Sequence, residues 1–316
     1  MLEILEVSGI ATLQDSGRRG WNKFGVPTSG SMDWFAYQAA NSLLNNPPNS
    51  AVIELGLGEI TFRALRNTVL AVTGAGYEVE NYIWTFPLWT TFYVRAGWTV
   101  RVKKTNGGNW AYIAIAGGFD SPIIMNSRST YLRGGIGSAL KAGDVLHSFT
   151  PTTDLLKLAA RDFPVDKFMP YSQTPTIEVI PAPQADWFTP EGIRTCYESE
   201  YTLSPSFDRM GYRLQMLSSP SSAKGIEKAI TKELISEGMT MGSIQVPADG
   251  QPIVMMADAP TAGGYPKIAN VARTSLPLLA QCEVDMSRIR FRETKINDLQ
   301  QRFKTLFDGI WRNRNA

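Results

Sequence analysis

The sequence predicts a mainly β fold of short strands with few helices. Apolar segments rich in β-branched and aromatic residues recur at roughly ten-residue intervals, with Gly, Pro, Asn and Asp between them, as in a barrel or sandwich. A parallel α/β sheet would need a helix of about ten residues or more between most strands, and the sequence lacks such runs there. With 43% apolar and 19% charged residues, the 316-residue chain can fill a sizeable core. Its length suits two ordinary domains or one large β domain.

In chain order, strands are expected at 60–62, 69–73, 92–94, 99–102, 112–116, 177–180, 244–246 and 253–256. An amphipathic helix is expected over 31–45, where Met32, Phe35, Ala36, Ala39, Ala40, Leu43 and Leu44 follow three-and-four spacing. Ser31 can cap its start, and Asn45-Asn46-Pro47-Pro48 stops it. A second helix runs over about 294–311, with Ile296, Leu299, Phe303, Leu306, Phe307 and Ile310 on one face, packed on the body or on a partner. A shorter one follows Thr274, over 276–281. Thr150-Pro151-Thr152-Thr153 opens a polar stretch punctuated by Pro164, Pro170 and Pro175, which places a domain boundary between Phe149 and Thr176.

A net charge of +2 gives no global field for nucleic acid, so none is expected as a partner. The stretch 287–316 is locally basic, with Arg288, Arg290, Arg292, Lys295, Arg302, Lys304, Arg312 and Arg314 against three acids. It reads either as a solvated helix face or as a docking surface. Cys196 and Cys282 lie 86 residues apart, which fits a reducing compartment and argues against a disulfide framework or a structural zinc site. The first residues carry Glu3 and Glu6 where a signal peptide needs a basic flank and an apolar run. No run of about 18 apolar residues is present to span a membrane. The expectation is a soluble, cytoplasmic protein with no membrane partner.

Several chemistries lack their residues. The single histidine, His147, ends a Gly143-Asp144-Val145-Leu146 turn and strand, has no triad partners near it in sequence, and reads as a surface or strand-end residue. His-rich metal spacings are absent, so no metal is expected. Without a Gly-Lys dipeptide there is no Walker A loop, and Gly74-Ala75-Gly76 reads as a strand-end turn rather than a dinucleotide fingerprint. The Met-Lys-Met turn that carries biotin is also missing, so ATP or biotin would come with another polypeptide.

Three segments carry chemistry. The first is Gln14-Asp15-Ser16-Gly17-Arg18-Arg19-Gly20 with the stretch from Gly25 to Asp33, where small residues admit a ligand or another chain and Asp15, Arg18 and Asp33 supply charge. A loop tied by an Asp–Arg pair gives the same pattern. The second runs from Ser206 to Leu214. On an extended strand Arg209 and Arg213 share a side and suit a carboxylate or phosphate, or they pair with acids of this chain such as Asp208 or Glu237. The third runs from Ile235 to Pro266. Gln245 and Gln251 bracket an Asp249-Gly250 hairpin turn, and their amides both donate and accept, as recognition of a urea, lactam or amide requires. Asp258 ends the next strand and Thr261 sits in the glycine turn beyond it, a common way to line a small-molecule pocket and equally a way to tie loops together.

Taken together, QDSGRRG, GVPTSGSMDWFAYQAANSLL, AVIELGLGEITF, TGAG, YIAIAGGFD, SRSTYL, LKAGDVL, SFDRMGYRL, SEG, GSIQVPADGQPIVMMAD and GGYPKIANV resemble, from Val7 to about Phe291, the biotin-dependent carboxyltransferase / allophanate hydrolase subunit 2 family. That family includes the C subunit of 5-oxoprolinase and the carboxyltransferase part of urea carboxylases. The resemblance implies two cyclophilin-like β-barrel units, 1–160 and 161–316, the second with the C-terminal helix. It implies one component of a complex that opens the 5-oxoproline lactam to glutamate with ATP, the nucleotide acting through the complex. Partners would resemble the B subunit of 5-oxoprolinase (allophanate hydrolase subunit 1) and its A subunit. The family's alternatives are carboxyl transfer to urea or a related amide from biotin on another protein, and a non-catalytic regulator of the kinase-inhibitor antagonist type.

Carried onto this chain, the resemblance implies catalytic roles for Asp258 (as general base), Gln245 and Thr261. It implies substrate binding by Arg209, Arg213, Gln251, Tyr265, Glu54, Asp15 and Asp33. The sequence departs from the family pattern at Pro260 and Ala262, where a Gln and a Thr are usual, and at Trp110, Ser138-Ala139 and Glu283-Val284. The first two remove an amide and a hydroxyl from the implied pocket, each worth about 1 kcal/mol of ligand contact.

Overall fold

Leu2 and Ile4 are fully buried and their neighbours are not, so the strand Leu2–Val7 (β1) sets one face on a core. The computed structural model describes residues 1–218, 225–230 and 234–311. Their described parts fall into two compact units, Met1–Arg19 with Ser29–Met169 and Leu306–Ala316, and Gly20–Thr28 with Pro170–Thr305. The main break lies between Met169 and Pro170. Two segments far from the break in sequence change sides.

In the first unit β1 is followed by β2 (Ile10–Gln14), α1 (Trp34–Leu43), β3 (Val52–Gly56), β4 (Ile60–Ala64), β5 (Thr68–Gly74) and β6 (Tyr77–Glu80). Then come β7 (Thr85–Phe86), β8 (Thr90–Val94), β9 (Thr99–Lys104), β10 (Trp110–Ile115), β11 (Phe119–Asp120), β12 (Val145–Ser148) and α2 (Leu155–Leu158). One sheet runs β11-β12-β1-β4-β9-β6-β7 and the other β2-β3-β10-β5-β8. Side chains from both, among them Ile4, Phe62 and Val100 with Leu55, Val72 and Ile113, fill a common core. β5 and β10 are buried along their whole length because α1 covers them, which is why they read as unbroken apolar runs.

Helix α1 is shorter than its apolar pattern and is capped by Asp33 rather than Ser31. The Asp33 Oδ1 accepts the N–H groups of Phe35 and Ala36, each at 3.0 Å. A carboxylate also complements the positive end of the helix, which a serine hydroxyl does less well. His147 is an exposed residue of β12, as a surface or strand-end histidine should be.

The second unit holds β13 (Thr176–Pro181), α3 (Pro190–Glu198), β14 (Glu200–Phe207), β15 (Gly211–Ser218), β16 (Glu237–Gly238) and β17 (Ser243–Gln245). After these come β18 (Ile253–Met255), β19 (Ala262–Gly263), β20 (Lys267–Val271), α4 (Leu276–Ala280), β21 (Arg290–Glu293) and α5 (Ile296–Trp311), of which the residues from Leu306 are counted with the first unit. Its sheet runs β14-β15-β18-β17-β20-β13-β21, and β16 pairs with β19 apart from it. The fold is mainly β with few helices, as expected. Among the described residues no helix is long and apolar enough to cross a membrane.

Three arginines of the basic C-terminal stretch are exposed and pair with acids of this chain. Arg292 on β21 and Arg302 on α5 both bind the Glu178 carboxylate of β13, at 2.9 and 2.8 Å, and Arg290 pairs with Glu200. Arg312 and Arg314 lie outside the described residues. Burial opposes charge on Glu178, but hydrogen bonds from Arg302 and Arg292 outweigh it and hold the carboxyl below the usual carboxylate range.

Glu178→Gln should therefore lower the unfolding free energy by about 1–2 kcal/mol at neutral pH, a modest loss because both arginines are half in water. Since the folded-state pKa is depressed, this contribution is present above the ordinary carboxylate range and lost as pH falls through the lowered value. Urea unfolding of both proteins, from neutral pH into acid, should show the difference shrinking.

Candidate functional site

Asp208 Oδ1 accepts the N–H groups of Met210 and Gly211 at 2.8 and 3.2 Å, closing a tight turn between β14 and β15. Arg209 leaves the chain from this turn, so the strand periodicity that begins at Gly211 does not reach it. Its Nε and Nη2 donate to Asp258 Oδ2 and Oδ1 at 2.9 and 3.1 Å, with the two side chains 8% and 10% exposed. Arg213, within β15, is exposed and pairs with exposed Asp249 at 3.3 Å. Arg209 thus leaves from the turn and Arg213 from the strand, and they pair with Asp258 and Asp249.

Asp258 opens a loop that runs to Pro266 and is stitched to its neighbours by backbone bonds. The Asp258 N–H donates to the Arg209 carbonyl at 2.7 Å, Met239 N–H to Thr261 O at 3.0 Å, and Val246 N–H to Pro266 O at 3.0 Å. Within it, Gln245 Nε2 donates to the Tyr265 carbonyl at 3.2 Å. A Cβ added to Gly263 would come within 2.7 Å of that nitrogen, so any larger residue there would push the Gln245 amide aside. The Gln245 amide oxygen, the Thr261 hydroxyl and the Tyr265 phenol make no hydrogen bond among the described residues. Thr261 is half-buried and Tyr265 is 51% exposed.

β17 and β18 form the expected hairpin around Asp249-Gly250, with Gly250 at φ +72°. The glutamines do not act as a bracket, however. Gln251 Oε1 accepts the Met216 N–H at 2.8 Å, on β15, while Gln245 serves the 258–266 loop. Lys267 escaped the sequence reading. It is buried, with Nζ 2.7 Å from Glu237 Oε1 and 3.2 Å from the Gly238 carbonyl. A lysine at the head of the apolar run that becomes β20 was the available signal.

Asp15, Asp33 and Glu54 belong to the first unit, and each is engaged. Asp15 Oδ1 accepts from Gly17 N–H and the hydroxyls of Ser127 and Ser129 at 2.8, 2.6 and 2.6 Å, and Oδ2 from Arg128 N–H at 2.6 Å. Arg18 donates to the Ser129 carbonyl. Glu54 Oε2 accepts Met32 N–H at 2.7 Å and the Tyr112 hydroxyl at 2.9 Å, and Tyr112 in turn accepts Asp33 N–H at 2.7 Å. Burial first, then the charges of Glu54 and Asp33, raises the Tyr112 phenol well above its ordinary range.

The Gly74-Ala75-Gly76 turn leads into β6, not into a helix. Its glycines let backbone pass against Trp110 and Gly108. It does not fit a nucleotide phosphate. Among the described residues no group of three or more His, Cys, Asp or Glu could hold a metal ion. Chemically, Gln245 on β17 supplies an amide oxygen that can accept, and Thr261 and Tyr265 of the 258–266 loop supply two hydroxyls that can donate.

The model of the carboxyltransferase domain, subdomain A and B, matches residues 24–293. The chain belongs to this family. It is 37% identical to the C subunit of 5-oxoprolinase from Haemophilus influenzae, covering 94% of this chain and 93% of that protein. Against the C subunit of 5-oxoprolinase from Escherichia coli the identity is 34%, covering 89% and 87%. Among solved structures, the urea amidolyase of K. lactis superposes with a TM-score of 0.87 at 26% identity, over 98% of this chain but 20% of that one.

Breaking the buried pair by Arg209→Ala leaves an uncompensated carboxylate and should lower stability by about 3 kcal/mol or more, whereas Arg213→Ala should change it by about 0.5 kcal/mol or less. Guanidinium denaturation of the two variants checks the contrast.

Proposed function

We propose that this chain is one component of an ATP-dependent complex that opens the 5-oxoproline lactam to glutamate. The reading is carried by its near-full-length similarity to the C subunit of 5-oxoprolinase from Haemophilus influenzae, with 94% and 93% of the two chains covered. In the reaction, the oxygen of water adds to the lactam carbonyl carbon, the C–N bond breaks, and the nitrogen leaves as the amine of glutamate after taking up a proton. ATP, bound elsewhere in the complex, supplies the driving force. The partners are proteins like the B and A subunits of 5-oxoprolinase, and the work is cytoplasmic.

This chain's residues act on a planar amide whose resonance must be disturbed. Gln245 Oε1 accepts the lactam N–H, while the Thr261 and Tyr265 hydroxyls donate to the carbonyl oxygen, where negative charge grows. Arg213 meets the substrate carboxylate, because its exposed pair with Asp249 opens at little cost. Asp258, with both oxygens on Arg209, positions the loop instead of moving a proton. Gln251, Asp15, Asp33 and Glu54 hold main chain through their own hydrogen bonds and are positioning residues in this reading.

A second reading, carboxyl transfer to urea or a related amide, is favoured by the superposition on urea amidolyase. Biotin would then arrive on another protein. The two readings share the amide and differ in the carboxylate, which urea lacks.

Glutamate release from 5-oxoproline and ATP should occur in a mixture of this chain with both partner proteins and vanish when this chain is omitted. Gln245→Ala should lower kcat/KM about tenfold in a complex that still assembles by gel filtration. Urea-dependent ATP consumption in an assembled complex that ignores 5-oxoproline would transfer support to the second reading.

A further inference from the structure

The first unit contains a cavity of about 290 Å³ beneath residues 121–140, beside the strands β2 and β12. Leu13, Leu140 and Leu146 give it an apolar lining, and Arg128, Ser121 and Ser138 a polar one. Two of these polar groups have hydrogen-bonding capacity that the described residues do not use. The Arg128 side chain is 17% exposed, and its ion-pair partner Asp120, 51% exposed, stands 3.6 Å away, beyond hydrogen-bond length. Its guanidinium lies 5.1 Å from the centre of the Phe149 ring. No hydrogen bond from that guanidinium is made among the described residues. The Ser121 Oγ is also buried without a hydrogen-bond partner among them.

A largely buried guanidinium whose one carboxylate partner is exposed and beyond hydrogen-bond length keeps its donors available, and its planar fork matches a planar two-oxygen anion. Its carrier is rigid. The Arg128 N–H is bound to Asp15, and so are the hydroxyls of Ser127 and Ser129 on either side. Asp144 on the lining disfavours a doubly charged phosphate, and the leucine wall asks for an aliphatic body. The volume is near the lower end of small-molecule pockets, roughly 300 Å³.

We propose that this cavity binds a small aliphatic carboxylate, with Arg128 and Ser121 donating to the carboxylate and the leucines enclosing the chain. None of these residues belongs to the 258–266 loop, so the inference goes beyond the lactam reading and does not depend on it.

The test titrates the purified chain with pentanoate, with pentanamide as neutral isostere and with inorganic phosphate, by ligand-observed NMR. Pentanoate should saturate one site, and the amide and phosphate should bind roughly tenfold more weakly or worse. Arg128→Lys and Arg128→Gln should each lose about tenfold, the lysine because it lacks the fork. The Arg128 main-chain bond to Asp15 survives both changes. Ser138→Trp, at an exposed position, should block the cavity in a folded protein. Gln245→Ala should leave pentanoate binding intact. Equal affinity for pentanamide, binding indifferent to Arg128 and Ser138, loss in Gln245→Ala instead, or no saturable binding would each overturn the proposal.

Discussion

A guanidinium and a carboxylate buried against each other hold the second unit's candidate site in place. Arg209 reaches Asp258 through two hydrogen bonds while the backbone of the same two residues makes a third. Such a pair adds little net stability, since desolvating both charges offsets most of their attraction. Its effect is on geometry. It fixes where the chain leaves β18, and so where the 258–266 loop begins. From that point Thr261, Gly263, Tyr265 and Pro266 are each placed by bonds or close contacts to Met239, Gln245 and Val246. Lys267 and Glu237 close the other end of the loop with a second, largely buried charge pair.

The first unit uses carboxylates in another way. Asp15, Asp33 and Glu54 accept main-chain N–H groups together with serine and tyrosine hydroxyls, so each charge is spread over several donors. Carboxylates held like this order the loops whose N–H groups they accept. One consequence is the rigid setting of Arg128, whose neighbours are all fixed to Asp15. A charged side chain on such a loop can face a cavity without collapsing into it.

Much of the fold was legible in the sequence because strands advertise themselves locally. The β-branched runs at 69–73 and 112–116 became β5 and β10 within a residue or two, and the breaks at Asn45 and Pro47 ended α1. The ordered motifs also carried the family, which the matched span of 24–293 bears out. What failed was a local turn and the side-chain pairings set by partners distant in the chain. Asp208 turned the backbone ahead of Gly211, and this removed Arg209 from the strand face it was expected to share with Arg213. The arginines at 292 and 302 are exposed, but their shared partner Glu178 was not foreseen because it lies 114 and 124 residues away. Lys267 was passed over because a lysine in a strand ordinarily points to water. The exchange of 20–28 and of the chain from 306 onward between units leaves no local trace at all.

The central claim is that the loop anchored by Asp258 receives the lactam. Hydrogen exchange at the amides of Met239 and Val246, both bonded to that loop, tests it most directly in the assembled complex. Adding 5-oxoproline should slow exchange at both positions, with no change at the Gly17 amide held by Asp15 in the first unit. Turnover of 5-oxoproline without any added protection at Met239 or Val246 would contradict the account.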